Sequence, residues 1–306
     1  MNSIVYVPFA ASILVAALIR LGSTRLWPRA AVWAITTCAV ALAVSTVGAL
    51  VVLASPLPAQ LQPIAHAGRW RPGAVASHTP VPWVVSALAL VGLVVLACRL
   101  VHEGRALVME FRAAAQLSRR AWRQDDVVVL DNNEHHAHAV GLGITGRGAI
   151  VVSSSLLALL DDEEQAAVIA HERSHLRERH TLFTAVTRLS IALDPMLSSA
   201  LADLQFALER AADEVAATKT ERAVVASALA KSALAALDRL PSQVGGFAFH
   251  RHGVTDRVAA MLDDPLRCRR PAWALVAVAF AAALALAWAT HDTERFFEAV
   301  RLWSRR

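Results

Sequence analysis

Five consecutive residues, His171-Glu172-Arg173-Ser174-His175, carry the most specific chemistry in this chain. On a helix, positions i and i+4 share one face about 6 Å apart, so the two imidazoles can bind one metal ion. Glu172 sits where it can take a proton from water activated at that ion and later return it to a leaving amine. With 12 His in 306 residues and glutamate equally frequent, chance supplies only about 0.02 such HExxH patterns per chain of this kind. A catalytic zinc site needs a third protein ligand. Glu178 and His180 are near, yet one helix does not curl three ligands around one ion, and the glycine-turned extension HxxHxxGxxH is absent. A carboxylate from a second helix is geometrically better. Glu209-Arg210-Ala211-Ala212-Asp213 places two acids one turn apart after Pro195. Glu209 can close the tetrahedron while Asp213 accepts the spare N–H of a liganding histidine and fixes its tautomer. The ordinary alternative for Glu209 is an exposed partner of Arg210.

The elements that must position these groups follow from local signals. Asp161 caps a helix, with Glu164 three residues on and Asp162 and Glu163 at the positive end of its dipole. That helix runs through His171 and His175. Before it, Val127–Leu130, Ala139-Val140 and Ala149–Val152 are short β-branched runs that predict strands, and Ser154–Leu160 predicts a short helix. Gly141-Leu142-Gly143-Ile144-Thr145-Gly146 matches a nucleotide-loop pattern. A strand rather than a helix follows it, which predicts a hairpin or bulge instead. His135, His136 and His138 read as a solvated turn rather than a metal tract.

Composition sets the wider frame. Over 306 residues, 56% are apolar and 18% charged, with a mean hydropathy of +0.45, which excludes a disordered chain and argues against an ordinary soluble enzyme. Cys38, Cys98 and Cys268 are odd in number and form no CxxC pair, so a cystine-rich secreted protein is excluded. Apolar runs, uncharged except for Arg99 near the end of the third, predict four membrane spans at about residues 4–19, 30–54, 82–101 and 271–290, each near the 20 residues a bilayer needs. The first has no basic segment before it and reads as a span rather than a signal peptide. Arg20, Arg25 and Arg29 fill the first connection without an acid, and Arg267, Arg269 and Arg270 precede the last span. After the third span, Arg99, Arg105, Arg112, Arg119, Arg120 and Arg123 outnumber the acids. The arginine bias therefore predicts residues 55–81 and 291–306 as an external loop and short tail, and 102–270 as cytoplasmic. The arginines of 102–123 suit a solvated face on anionic headgroups, and no direct nucleic-acid binding is expected.

The expected fold is a mainly α membrane protein: four transmembrane helices with a cytoplasmic α+β zincin-like metallopeptidase domain between the third and fourth. HExxH followed by ExxxD resembles the gluzincin peptidases. With the zinc helix between spans three and four, the chain resembles the BlaR/MecR family of membrane zinc metallopeptidases. The likeness takes in Gly148–Ser153, Asp194-Pro195 and Arg257–Leu262. It implies one Zn2+ per chain held by His171, His175 and Glu209, with Glu172 as base, Asp213 behind a ligand, and a cytoplasmic DNA-binding repressor as substrate. The sensor members carry an external penicillin-binding domain with SxxK; here the positions three before Lys219 and Lys231 are Ala216 and Ala228, so direct acylation by a β-lactam is not expected.

The HtpX/Ste24-like quality-control proteases are a rival within the same chemistry. In that group spans intervene between HExxH and the third ligand. Here the 33 residues between His175 and Glu209 hold Arg177, Arg179, Arg188 and Asp194, and two spans do not fit. A non-proteolytic transducer keeping zinc for structure, or a scaffold without metal, are further alternatives. For the oxyanion, His250, His252 and Arg210 are the candidates, since Tyr6 lies in the first span. A protein or peptide substrate is expected to add as a strand beside Ala149–Val152.

Overall fold

The computed structural model describes residues 3–22, 26–121, 127–132, 135–141, 148–237, 247–263 and 273–304; within these, 117–121, 236–237, 247–252 and 273–275 are described by backbone alone. The glycine pattern beyond Gly141 lies outside the described residues, as do Arg25, Arg123, Cys268 and the arginines before the last span.

Four long apolar helices are present: α1 (Val7–Gly22), α2 (Pro28–Ala54), α5 (Trp83–Ala121) and α12 (Trp273–Trp303). Pro28 opens α2, where a missing N–H costs nothing. In its most apolar stretch 56% of α2 is buried, against 17% for α5 and α12, so α2 is the axis of the molecule. Ile35, Cys38 and Leu42 of α2 pack with Val15 and Ile19 of α1 and with Ala279 and Ala282 of α12. α5 runs on past residue 101 through the arginine-bearing segment, its 39 residues extending about 58 Å. At the opposite end, α12 runs on through the expected tail. Two short helices, α3 (Gln62–Gly68) and α4 (Pro72–His78), close over it through Trp70–Phe297 and His78–Trp303 ring contacts at 5.0 and 4.1 Å.

The sheet has three strands, β1 (Val127–Leu130), β2 (Ala137–Gly141) and β3 (Gly148–Ser153), in the order β1-β3-β2. β1 lies parallel to β3 and β2 antiparallel. This corrects the expected substrate edge: β3 is the middle strand and offers no free edge. Every residue of β3 is buried, as its unalternating apolar run requires of a central strand. Among the described residues, β2 is the edge strand beside the histidines. Helices α6 (Ser154–Leu159) and α7 (Asp162–Arg177) follow, α7 beginning in a reciprocal cap: Glu164 N–H donates to Asp161 Oδ1 at 2.9 Å and Asp161 N–H to Glu164 Oε2 at 3.1 Å.

Arg179, with φ 56°, turns the chain into a hairpin of α8 (His180–Leu193) and α9 (Ala200–Ala216). Two contacts set its course. Glu178 pairs with Arg29 at the start of α2, and Asp194 accepts a hydrogen bond from Thr46 Oγ1 at 2.9 Å. These contacts lie 17 positions apart on α2 and 16 on the hairpin, so α8 runs alongside α2 for about 25 Å. Its tip reaches Ser12 and Thr46, inside the apolar stretches of α1 and α2. The segment between α5 and α12 is therefore not set apart from the long apolar helices. Two of the four charges in this stretch have partners: Arg188 pairs with Glu103 and Glu110 of α5, and Asp194 takes the two hydroxyls, while α8 and α9 are not among the span-length apolar helices. Helices α10 (Arg222–Leu237) and α11 (Phe247–Leu262) complete the domain, packing Val225 and Met261 against Ala167 and Ala216.

Candidate metal centre

α7 presents His171 and His175 on one face, and their Nε2 atoms stand 3.2 Å apart. Glu209, near the middle of α9, brings Oε2 to 3.4 Å from His171 Nε2 and Oε1 to 3.6 Å from His175 Nε2. A tetrahedral zinc with bonds near 2.05 Å requires donor separations of about 3.3 Å. The observed 3.2, 3.4 and 3.6 Å bracket that value, so the donor set fits zinc with one position left open. α9 faces α7 because its Leu204, Ala207 and Leu208 are buried against α1 and α2, which turns Glu209 toward the histidines.

Asp213, one turn beyond Glu209 and fully buried, accepts from His171 Nδ1 at 2.9 Å. The same carboxylate receives Arg257 of α11 in a two-pronged pair, Nε to Oδ2 and Nη2 to Oδ1, both 2.7 Å. The third guanidinium nitrogen, Nη1, reaches Glu209 Oε2 at 2.9 Å. One arginine thus fastens Glu209 and Asp213 together. A planar guanidinium suits this, because two neighbouring carboxylates without a cation between them repel each other. Arg257 stands 48 positions from Glu209, and its only sequence signal was a weak motif around it.

Behind the second histidine, His175 Nδ1 meets His180 Nδ1 at 2.9 Å. His180 therefore stands on the far side of His175 and is not a third ligand. Glu178, the other near candidate, faces Arg29. Arg210 is buried beside Glu214, 3.9 Å from its Oε1, and does not line the cleft over the histidines. That corrects its candidacy as an oxyanion donor: one residue on from Glu209, it points to another face of α9. The side chains of His250 and His252 lie outside the described residues.

Electrostatics follow the geometry. Burial disfavours protonating His171, but hydrogen bonds to Asp213 and Glu209 outweigh it and raise its pKa to about 9. His175, buried with no such acceptor, is lowered to about 4. Burial also works against charging Glu209 and Asp213, yet His171 and Arg257 hold both below the usual carboxylate range. Glu172 goes the other way, raised chiefly by burial, while the Ala139 backbone N–H of β2 partly offsets the shift. The result is one carboxyl with a raised proton affinity beside a trio spaced to hold a metal ion.

A cleft of about 350 Å³ opens over these groups. Ala137 of β2 and the preceding His136 form one wall, and Leu156, Val168, Val225 and Leu229 form an apolar one. The model of peptidase family M48 matches residues 102–262, more than half of the chain, and the match spans both halves of the metal centre. The chain belongs to peptidase family M48. That membership gives a peptidase of zincin type; it does not single out the BlaR/MecR-like group. No curated protein and no solved structure matches the chain.

Proposed function

We propose that this M48 chain is an integral-membrane, zinc-dependent endopeptidase that cuts proteins at the cytoplasmic face. The observation that carries it is the convergence of His171, His175 and Glu209 at zinc-ligand spacing, with Glu172 on the same helix. Zinc held there would supply Lewis-acid polarisation of the scissile carbonyl and acidification of water. Glu172 takes a proton from the attacking water as its oxygen bonds to the carbonyl carbon. It delivers that proton to the nitrogen as the C–N bond breaks. A raised pKa suits this double duty near neutral pH. Asp213 keeps the His171 proton on Nδ1, so that Nε2 presents its lone pair to the ion. Substrate backbone pairs with the outer edge of β2, and the apolar wall takes one side chain. The arginines at the ends of α1, α2 and the apolar part of α5 support a cytoplasmic placement.

Two substrate classes are distinguished by one structural feature. BlaR/MecR-like signalling would cleave a transcriptional repressor. The α8–α9 hairpin, inserted among the membrane helices between HExxH and Glu209, favours the second class, HtpX/Ste24-like clearance of membrane proteins. Glu172→Gln decides both points. The variant is expected to keep zinc while cleavage falls by about 10²–10⁴-fold, and comparing intracellular fragments with wild type reads the substrates. Cleavage at the wild-type rate by Glu172→Gln overturns the mechanism; one DNA-binding fragment rather than many membrane fragments restores the signalling reading.

A further inference from the structure

Asp194 is the one acid at the tip of the α8–α9 hairpin, and it is completely buried. Its Oδ2 accepts from Ser12 Oγ of α1 at 2.5 Å and from Thr46 Oγ1 of α2 at 2.9 Å. Its Oδ1 accepts the Met196 backbone N–H at 3.2 Å, closing the turn that reverses the chain. A buried carboxylate among apolar helices is costly unless its oxygens are satisfied. These three donors come from two membrane helices and the hairpin itself, and so fix the depth of the tip against both. At the other end of α8, Arg29 fastens Glu178, three residues past His175, to the same α2. Between these ties the hairpin has no freedom to slide along α2. α9 then returns from the tip: Leu197, Ala200, Leu204 and Leu208 are buried in the same cluster as α1 and α2, and Glu209 is the next residue.

We propose that Asp194 is a positioning residue for the metal centre: through Ser12 and Thr46 it sets the height of α9, and thereby brings the Glu209 carboxylate level with His171 and His175. This rests on the zinc-peptidase reading above. The physical reason is the small tolerance of a tetrahedral site. Donor separations of 3.2 to 3.6 Å leave no room for a one-residue slip of α9, which moves Glu209 by about 1.5 Å along the axis. Spans one and two accordingly reach the zinc site through a hydrogen-bonded contact, and relative motion of α1 and α2 is transmitted to the third ligand.

The test uses the full-length protein in detergent, with zinc affinity measured against a chromophoric chelator and the visible absorption of the Co2+-substituted protein as a reporter of ligand geometry. Asp194→Ala and the pair Ser12→Ala with Thr46→Val are compared with Asp194→Asn, which retains a carbonyl acceptor. The first two are expected to lose affinity by about 10-fold or more and to change the Co2+ bands, as outer-shell changes do. Asp194→Asn is expected to stay near wild type. A role in folding alone lowers thermal stability but leaves the affinity and spectrum of the folded protein unchanged, and that outcome in both altered forms overturns the proposal. If Asp194→Ala does not fold, the Ser12 and Thr46 pair decides alone. Asn behaving like Ala also overturns it, because the hydrogen bonds would not be the cause. A wild-type protein that binds neither metal overturns the peptidase reading itself, and is thereby distinguished.

Discussion

Asp213 has two neighbours that make separable demands, and one set of variants tells them apart. It accepts from His171 Nδ1 at 2.9 Å and takes two Arg257 bonds at 2.7 Å, with no exposed surface. Asp213→Ala leaves the Arg257 guanidinium, 12% exposed, with Glu209 alone. Breaking a buried pair from one side costs about 3–5 kcal/mol. The double variant Asp213→Ala/Arg257→Ala removes the stranded charge as well and should recover at least about 1 kcal/mol of that loss. Zinc affinity should behave differently. Losing the acceptor on His171 frees its tautomer and ring, an effect of about 10–100-fold, or about 1.4–2.7 kcal/mol. Because that loss comes from the histidine, the second substitution should not restore it. The assay is chelator competition on full-length protein in detergent, with unfolding of the metal-free form followed in parallel. Folded Asp213→Ala protein binding zinc within about 3-fold of wild type would refute the reasoning, since the outer-shell bond would then carry none of its usual effect.

Three other outcomes are expected. Glu164 is buried; that burial opposes its charge, but Lys231, Ser227 and the Asp161 N–H outweigh it and depress its pKa. Its stabilisation is therefore present above the unfolded pKa of about 4.3 and lost as pH falls through the lower folded value. Glu164→Gln should cost about 1 kcal/mol at neutral pH, with the gap from wild type closing in acid thermal melts; a constant gap contradicts this. A Cβ at Gly148 would stand 2.3 Å from the Val140 carbonyl and 2.8 Å from Gly141 Cα. Gly148→Ala must push β2 off β3, costing about 1–3 kcal/mol and lowering turnover while zinc stays bound; unchanged melting and turnover would show that β2 is not held there. Arg179 adopts a left-handed conformation at the start of the hairpin, on the surface. Arg179→Gly should raise stability by about 0.5–1 kcal/mol in thermal melts, and a loss would mean the arginine side chain contributes more than its backbone strain costs.

The parts legible in the sequence are those built from short-range geometry. A helix forces residues 171 and 175 onto one face and 209 and 213 onto another, wherever the helices lie. Asp161 and Glu164 announce the start of α7, and uncharged length announces the four long helices. The tertiary structure decided the rest. That Arg257 clasps both acids, that His180 backs His175 rather than binding metal, and that β2 rather than β3 borders the cleft depend on residues brought together from distant segments. The hairpin shows the reason most clearly. Arg188 and Asp194 are among the charges that argue against two spans in this stretch, because a charge alone is costly in a membrane. Their partners, Glu103 and Glu110 on one helix and Ser12 and Thr46 on two others, remove that cost only after the chain has folded. Periodicity reports which face of an element a residue occupies; which groups meet across elements is set by packing, and in this molecule packing around α2 sets it.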